Sequence, residues 1–183
     1  RWIVDPLDGT TNYLYGLAGF GVSIAAEVDG EVAVGVVLDV VRDELFAAVR
    51  GEGASCDGRP IRVSGATDLA TALIATGFAY DSERRARQAA ALVVVLPRVR
   101  DIRRFGAAAV DLCSVACGRV DGYYERGLAP WDLAAGGLIA AEAGAEVTDF
   151  RGAPAAAGAV VAAAPGIAAD LRGLLLTAGA DSA

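Results

Sequence analysis

Asp5-Pro6-Leu7-Asp8-Gly9-Thr10 sets two carboxylates and a hydroxyl at the end of an apolar run, Trp2-Ile3-Val4. Hard divalent cations such as Mg2+ take oxygen ligands, so this is the residue set of a metal–phosphate site. Side chains share a strand face only at even spacing, and Asp5 and Asp8 are three apart. They converge on one ion only if Pro6-Leu7 bends the chain. Such a bend also frees a main-chain carbonyl, that of Leu7, as a further oxygen. Gly9 lets backbone come close to a ligand, and Thr10-Thr11-Asn12 supplies N-cap side chains and free N–H groups for a helix beginning there, where phosphate binds well. A bare Asp-Gly-Thr would be only a tight turn and a cap. The full string directly after a buried strand points to chemistry.

Another acid lies far downstream in Trp131-Asp132-Leu133-Ala134-Ala135-Gly136, opening a helix of small residues that runs to Gly144. Alone, Asp132 would be an N-cap. Small residues behind it permit close packing against the first site, and a third carboxylate would complete a two-metal cluster.

With both strings in place, the chain resembles the inositol monophosphatase family of Mg2+-dependent, lithium-sensitive phosphatases over nearly its whole length. The resemblance is carried by Trp2 through Tyr13, Gly106-Ala107-Ala108-Ala109, Gly122-Tyr123-Tyr124-Glu125 and Trp131 through Gly136, in the family's order and at family-like separation. It implies that Asp5, the Leu7 carbonyl, Asp8 and Asp132 ligate Mg2+, and that Asp8 and Thr10 are catalytic, Thr10 orienting the attacking water. It implies substrate contacts from Leu7, Asp8, Gly9, Thr10, Gly106, Ala107, Ala108, Glu125 and Asp132. In this set the Gly9 and Thr10 amides hold phosphate and Glu125 accepts hydrogen bonds from a polyol hydroxyl. Taken alone, Glu125 is a surface acid. The implied substrate is a small phosphorylated polyol, best inositol 1-phosphate, hydrolysed by metal-activated water. Relatives with a similar metal motif handle histidinol phosphate, fructose 1,6-bisphosphate or adenosine bisphosphates. A non-catalytic binding protein of the same fold is the alternative, although clustered carboxylates repel one another without a cation. A homodimer is also implied.

Departures accompany the matches. Family members carry a Glu in an earlier Gly-Glu-Glu segment that binds metal and polarises the water, and no such segment is found here. The chain has no Met and starts at Arg1, directly before the first strand. We therefore expect one inositol monophosphatase-like domain over residues 1–183, incomplete at its N-terminus and weak or inactive alone. Tyr15 stands where His is frequent, and Ala107 where Ser or Thr is common.

Composition excludes other chemistries. The chain contains no His and, reading along it, no Lys. A phosphohistidine, a Ser-His-Asp triad, an imidazole zinc site, a P-loop lysine and a Schiff base are all ruled out. A haloacid-dehalogenase-like phosphatase would need acids two apart and a downstream Lys, occasionally Arg, whereas here the spacing is three and there is no Lys. Water attack is thus favoured over an aspartyl-phosphate. The net charge of −7 disfavours nucleic acid. Arg84-Arg85-Ala86-Arg87 and Arg98 through Arg104 read as solvated faces. Cys56, Cys113 and Cys117 are an odd set with no secretory or transmembrane segment visible, so a reducing cytoplasm and no membrane association are expected. Cys113 and Cys117 read as core.

The elements that must position these residues follow from periodicity. Phe20 to Val28, Glu31 to Val41 and Glu44 to Val49 read as an antiparallel meander broken at Asp29-Gly30 and Arg42-Asp43. Gly51 to Pro60 reads as a Gly-rich loop, Ala72 to Gly77 as a strand and Ser82 to Val95 as a helix. Beyond Asp101 short strands alternate with helices: a strand to Phe105, a helix from Ala107 to Gly118, a strand at Tyr123-Tyr124, a helix from Asp132, strands near Val147 and Val160-Val161, and a helix from Ile167. Gly152 to Gly158 reads as a loop. The expected class is α/β, an α+β layered sandwich. The resemblance adds alternating helix and sheet layers, with the family's first helices missing from the meander and an apolar sheet surface left exposed.

Overall fold

The computed structural model describes all residues except 157 and 183. The chain opens with β1 (Trp2–Asp8) and a one-turn helix, α1 (Thr10–Leu14). A meander follows: β2 (Gly21–Val28), β3 (Glu31–Asp39), β4 (Glu44–Val49), β5 (Gly53–Cys56) and β6 (Arg59–Pro60). These strands form one antiparallel sheet in the order β1-β2-β3-β4-β5-β6. The second half contains β7 (Leu73–Thr76), α2 (Ser82–Val95), β8 (Asp101–Arg103), α3 (Ala108–Ala116), β9 (Gly122–Arg126), α4 (Pro130–Glu142), β10 (Glu146–Thr148), β11 (Ala159–Ala163) and α5 (Pro165–Thr177). Its sheet has the order β10-β11-β9-β7-β8, with β7 parallel to both β8 and β9.

Four layers result. α3 and α4 lie between the two sheets, and α2 and α5 cover the far face of the second. The pleat of the second sheet sorts its side chains: Tyr123, Val160 and Ala162 join the core with α3 and α4, whereas Tyr124, Val161 and Ala163 join α2 and α5. A strand covered on both faces needs an unbroken apolar run, which Ala159–Ala163 supplies. The expected layered α/β class is the observed one.

Four local expectations change. Trp2-Ile3-Val4 is not buried on both faces, because β1 is an edge strand with Trp2 and Val4 exposed, and it continues to Asp8 instead of ending at Asp5. Gly51 to Pro60 is no plain loop. Asp57 and Gly58, both at positive φ (49° and 72°), make a tight turn that extends the meander by β5 and β6. α1 is capped by Gly9, not by a threonine or asparagine side chain. α4 starts at Pro130, so Asp132 sits in its first turn and not at the cap. The loop expected over Gly152 to Gly158 holds isolated bridges at Pro154 and Ala156, with residue 157 outside the described residues. No described helix is long and apolar enough to cross a membrane.

The outer face of the first sheet is uncovered and apolar. Registered rows Trp2–Ala26–Val34–Val49 and Val4–Ile24–Val36–Ala47 lie on it, with Trp2, Val4, Ile24, Val34 and Val49 all exposed. A contiguous apolar surface of this kind drives association. The chain is expected to self-associate with rising concentration in sedimentation velocity, and Ile24→Lys with Val34→Glu is expected to suppress it. A monodisperse wild-type sample over the same range would contradict this.

Candidate metal and phosphate site

The first carboxylates are brought together by an irregularity in β1. Asp5 pairs with Ser23 and faces inward with Ile3, while Trp2 and Val4 face outward. Alternation would turn Asp8 outward with them. The register against β2 shifts between Asp5 and Asp8, which turns Asp8 in, so the bend anticipated at Pro6-Leu7 takes the form of a bulge. The Leu7 N–H donates to Asp5 Oδ1 across that turn at 3.0 Å.

Asp132 is delivered by α4, whose seat depends on small residues. Gly35 of β3 lies against the helix backbone: a Cβ there would stand 2.8 Å from the Ala135 carbonyl oxygen and 3.0 Å from its Cα. Gly136, on the next residue, lets α3 approach to where a Cβ would stand 2.9 Å from the Leu112 Cβ. The Ser23 hydroxyl donates to the Trp131 carbonyl at 3.2 Å, tying β2 to the first turn of α4 beside Asp132. Oxygens of Asp5, Asp8 and Asp132 then lie within 4.8 Å of one another.

Each of the three carboxylates has one oxygen anchored. Asp5 Oδ1 accepts from Leu7 N, Asp8 Oδ2 from Ala109 N at 2.8 Å, and Asp132 Oδ2 from Ala129 N at 2.7 Å. The remaining oxygens are preset without further ordering cost. Burial pushes the Asp8 carboxyl up to about 7, opposed by the Ala109 N–H and reinforced by the charges of Asp132 and Asp5. Burial also raises Asp132, with Asp5 adding to it. Three converging carboxylate oxygens, with Asp8 and Asp132 both pushed up by burial, fit a hard divalent cation.

Around this trio lies a cleft of about 530 Å³, lined by Asp5, Leu7, Asp8, Gly9, Thr10, Gly106, Ala108, Glu125 and Asp132 among others. All the expected site residues line it except Ala107, which is buried beneath Gly9. Thr10 Oγ1 donates to the Leu7 carbonyl at 2.9 Å. Gly9 adopts φ 83°, and a Cβ on it would stand 2.6 Å from the Gly19 carbonyl oxygen, so only glycine fits. Glu125 is raised by burial and accepts from the Tyr123 hydroxyl at 2.6 Å.

Several contributors were not recognisable in the sequence. Asn12 Nδ2 donates to the Gly19 and Phe105 carbonyls at 2.7 and 2.6 Å, fastening α1 to the segment that enters Gly106. Asp111 lies buried on α3, its Oδ1 without a partner among the described residues, and burial followed by the Glu125 and Asp8 charges raises its carboxyl well above the ordinary range. Arg84 and Arg104, expected on solvated faces, line the cleft. Only Asn12 carried a signal, through its place in the matched string.

A model of the inositol monophosphatase family matches residues 1–178. An inositol-1-monophosphatase of Mycobacterium leprae is 49% identical over 180 residues, covering 95% of this chain and 62% of that protein. A protein of Pasteurella multocida named Nus factor SuhB is also 49% identical, over 93% of this chain and 65% of its own length. The solved structure of Mycobacterium tuberculosis SuhB superposes with a TM-score of 0.90 at 46% identity, over 97% of this chain and 72% of that one. The chain thus spans less than two thirds of the curated relatives it matches. With its bulged β1, its small-residue α4 and its carboxylate trio, this chain belongs to the inositol monophosphatase family.

Proposed function

We propose that the chain hydrolyses a small polyol phosphate monoester, inositol 1-phosphate first, with Mg2+ held by Asp5, the Leu7 carbonyl, Asp8 and Asp132. The observation that supports this most is the trio of half-anchored carboxylates facing one cleft. When bound there, Mg2+ lowers the pKa of water and offsets charge developing on the phosphate.

The chain's own groups supply the rest. The Thr10 hydroxyl spends its proton on the Leu7 carbonyl, so it offers lone pairs to the cleft. It accepts a hydrogen bond from a water there and turns that water's free lone pair toward phosphorus. The Gly9 and Thr10 amides hold the phosphate, and Glu125 accepts from polyol hydroxyls. Asp5 and Asp8 each have one oxygen tied to main chain and would give the other to the ion, which would leave neither free as nucleophile. Trapping a phosphoenzyme on either would sink that step. A homodimer belongs to the same reading, as does a reducing compartment, since all three cysteines are free.

The test is phosphate release from inositol 1-phosphate, with and without Mg2+. It is run on the chain alone and on the chain joined behind the Gly-Glu-Glu segment of a family member. Release is expected to depend on Mg2+, and Thr10→Val should lower kcat by about 100-fold with little change in KM or in Mg2+ affinity. Mg2+ binding without release from any phosphate ester would favour the binding protein instead.

A further inference from the structure

The Glu125 carboxylate is constrained from two sides by residues that do not themselves line its cleft. Tyr123 and Glu125 are two apart on β9 and share the face that packs on α3. The Tyr123 hydroxyl runs along that face and donates to Glu125 Oε2 at 2.6 Å. Burial, followed by the Glu125 charge, raises this hydroxyl well above its ordinary range, so it stays a donor. On the other side, one residue past the Thr76–Tyr124 pair of the parallel ladder, stands Gly77. A Cβ on Gly77 would overlap Cδ and both oxygens of the Glu125 carboxylate, so the group lies folded over bare main chain. Gly77 is not at positive φ, so its missing side chain serves this contact and not a turn.

Only Oε2 is engaged: Oε1 has no hydrogen-bond partner among the described residues, and Glu125 lines the cleft. The charges of Arg104 and Arg84 act on the carboxylate, yet neither guanidinium makes an ion pair among the described residues. A carboxylate fixed at one oxygen and free at the other costs little to order when a hydroxyl donates to it. Such an acceptor discriminates against a ligand that lacks the hydroxyl, because it is then left unpaired. We propose that Tyr123 and Gly77 are positioning residues that aim Glu125 at the alcohol and so set a preference for hydroxyl-bearing esters over a bare ring. This rests on the reading above, in which phosphate takes the end of the carboxylate trio and Glu125 meets the polyol.

Calorimetric titration with inositol 1-phosphate and with cyclohexyl phosphate, which has the ring and no hydroxyl, tests it. Ca2+ replaces Mg2+ to keep the esters intact. Inositol 1-phosphate is expected to bind at least about tenfold more tightly. Tyr123→Phe keeps the buried ring and frees the carboxylate, whereas Gly77→Ala pushes the carboxylate aside. Each should lower the ratio of the two affinities at least about fivefold through inositol 1-phosphate alone, with cyclohexyl phosphate bound as by the wild type. In Glu125→Ala, adding Tyr123→Phe should change neither affinity further, because Tyr123 acts through Glu125. A wild-type ratio near 1, a ratio that survives either substitution, an equal fall for both esters, or a Tyr123→Phe effect that persists in Glu125→Ala overturns the proposal. Asp8→Asn separates the two readings. Full affinity for cyclohexyl phosphate in that variant overturns the phosphate assignment, whatever the ratio shows for Tyr123. Failure of both esters to bind the wild type overturns both.

Discussion

Replacing Asp8 by asparagine is expected to stabilise the metal-free protein at about pH 8 by on the order of 4 kcal/mol, while abolishing its stabilisation by Mg2+. In the folded chain burial keeps the Asp8 proton to about pH 7, whereas the unfolded carboxyl holds it only to about its ordinary 3.8. Folding therefore takes up a proton between those values. The contribution is whole below about pH 4 and is lost as pH rises through about 7. Asparagine keeps an oxygen for the Ala109 N–H and carries no charge, so the variant escapes that loss. In EDTA, wild type and variant should unfold alike near pH 4 and diverge as pH rises. Mg2+ should then raise the wild-type Tm alone. A variant destabilised throughout the pH range would contradict the assignment.

Gly35→Ala is expected to cost about 3 kcal/mol and to weaken divalent-ion binding at least about tenfold. The added methyl meets the main chain of α4 at Ala135, and backbone in the middle of a packed helix does not move aside as a flexible side chain does. The helix shifts as a unit and carries Asp132 away from Asp5 and Asp8. Gly173→Ala, in α5 with open space around it, is the control. It should stabilise by about 0.5–1 kcal/mol, because alanine has the better helix propensity. Chemical denaturation in dilute solution checks both. Unchanged ion affinity in Gly35→Ala would separate packing from the site and contradict the link drawn here.

These glycines show what the sequence could and could not convey. The acids were legible because Asp-Pro-Leu-Asp-Gly-Thr allows few folded meanings, and odd spacing on a strand already required a bend. The small residues after Asp132 signalled close packing, but Gly35, their partner across the interface, is one glycine among many and meets Ala135 only in the folded chain. β1 looked buried because Trp2 and Val4 are apolar. Composition gives hydrophobicity, not which face is covered. The Gly51 to Pro60 segment hid two short strands whose pairing comes from the neighbouring β4 and not from local propensity. Arg104 is exposed, as its charged run suggests, and Arg84 half-buried; what the runs did not convey is that the loops bearing Gly106 and Gly127 bring these two to a shared cleft.

The central claim, that Asp5, Asp8 and Asp132 form a divalent-cation site, is tested most directly by calorimetric titration of the chain with Mg2+ at two pH values. Saturable binding is predicted, with close to one proton released per ion at about pH 6 and almost none at about pH 8.5, because Asp8 must give up its proton to ligate. In Asp8→Asn both the proton release and at least about 100-fold of the affinity should disappear. No saturable binding, or equal binding by the variant, would contradict the account.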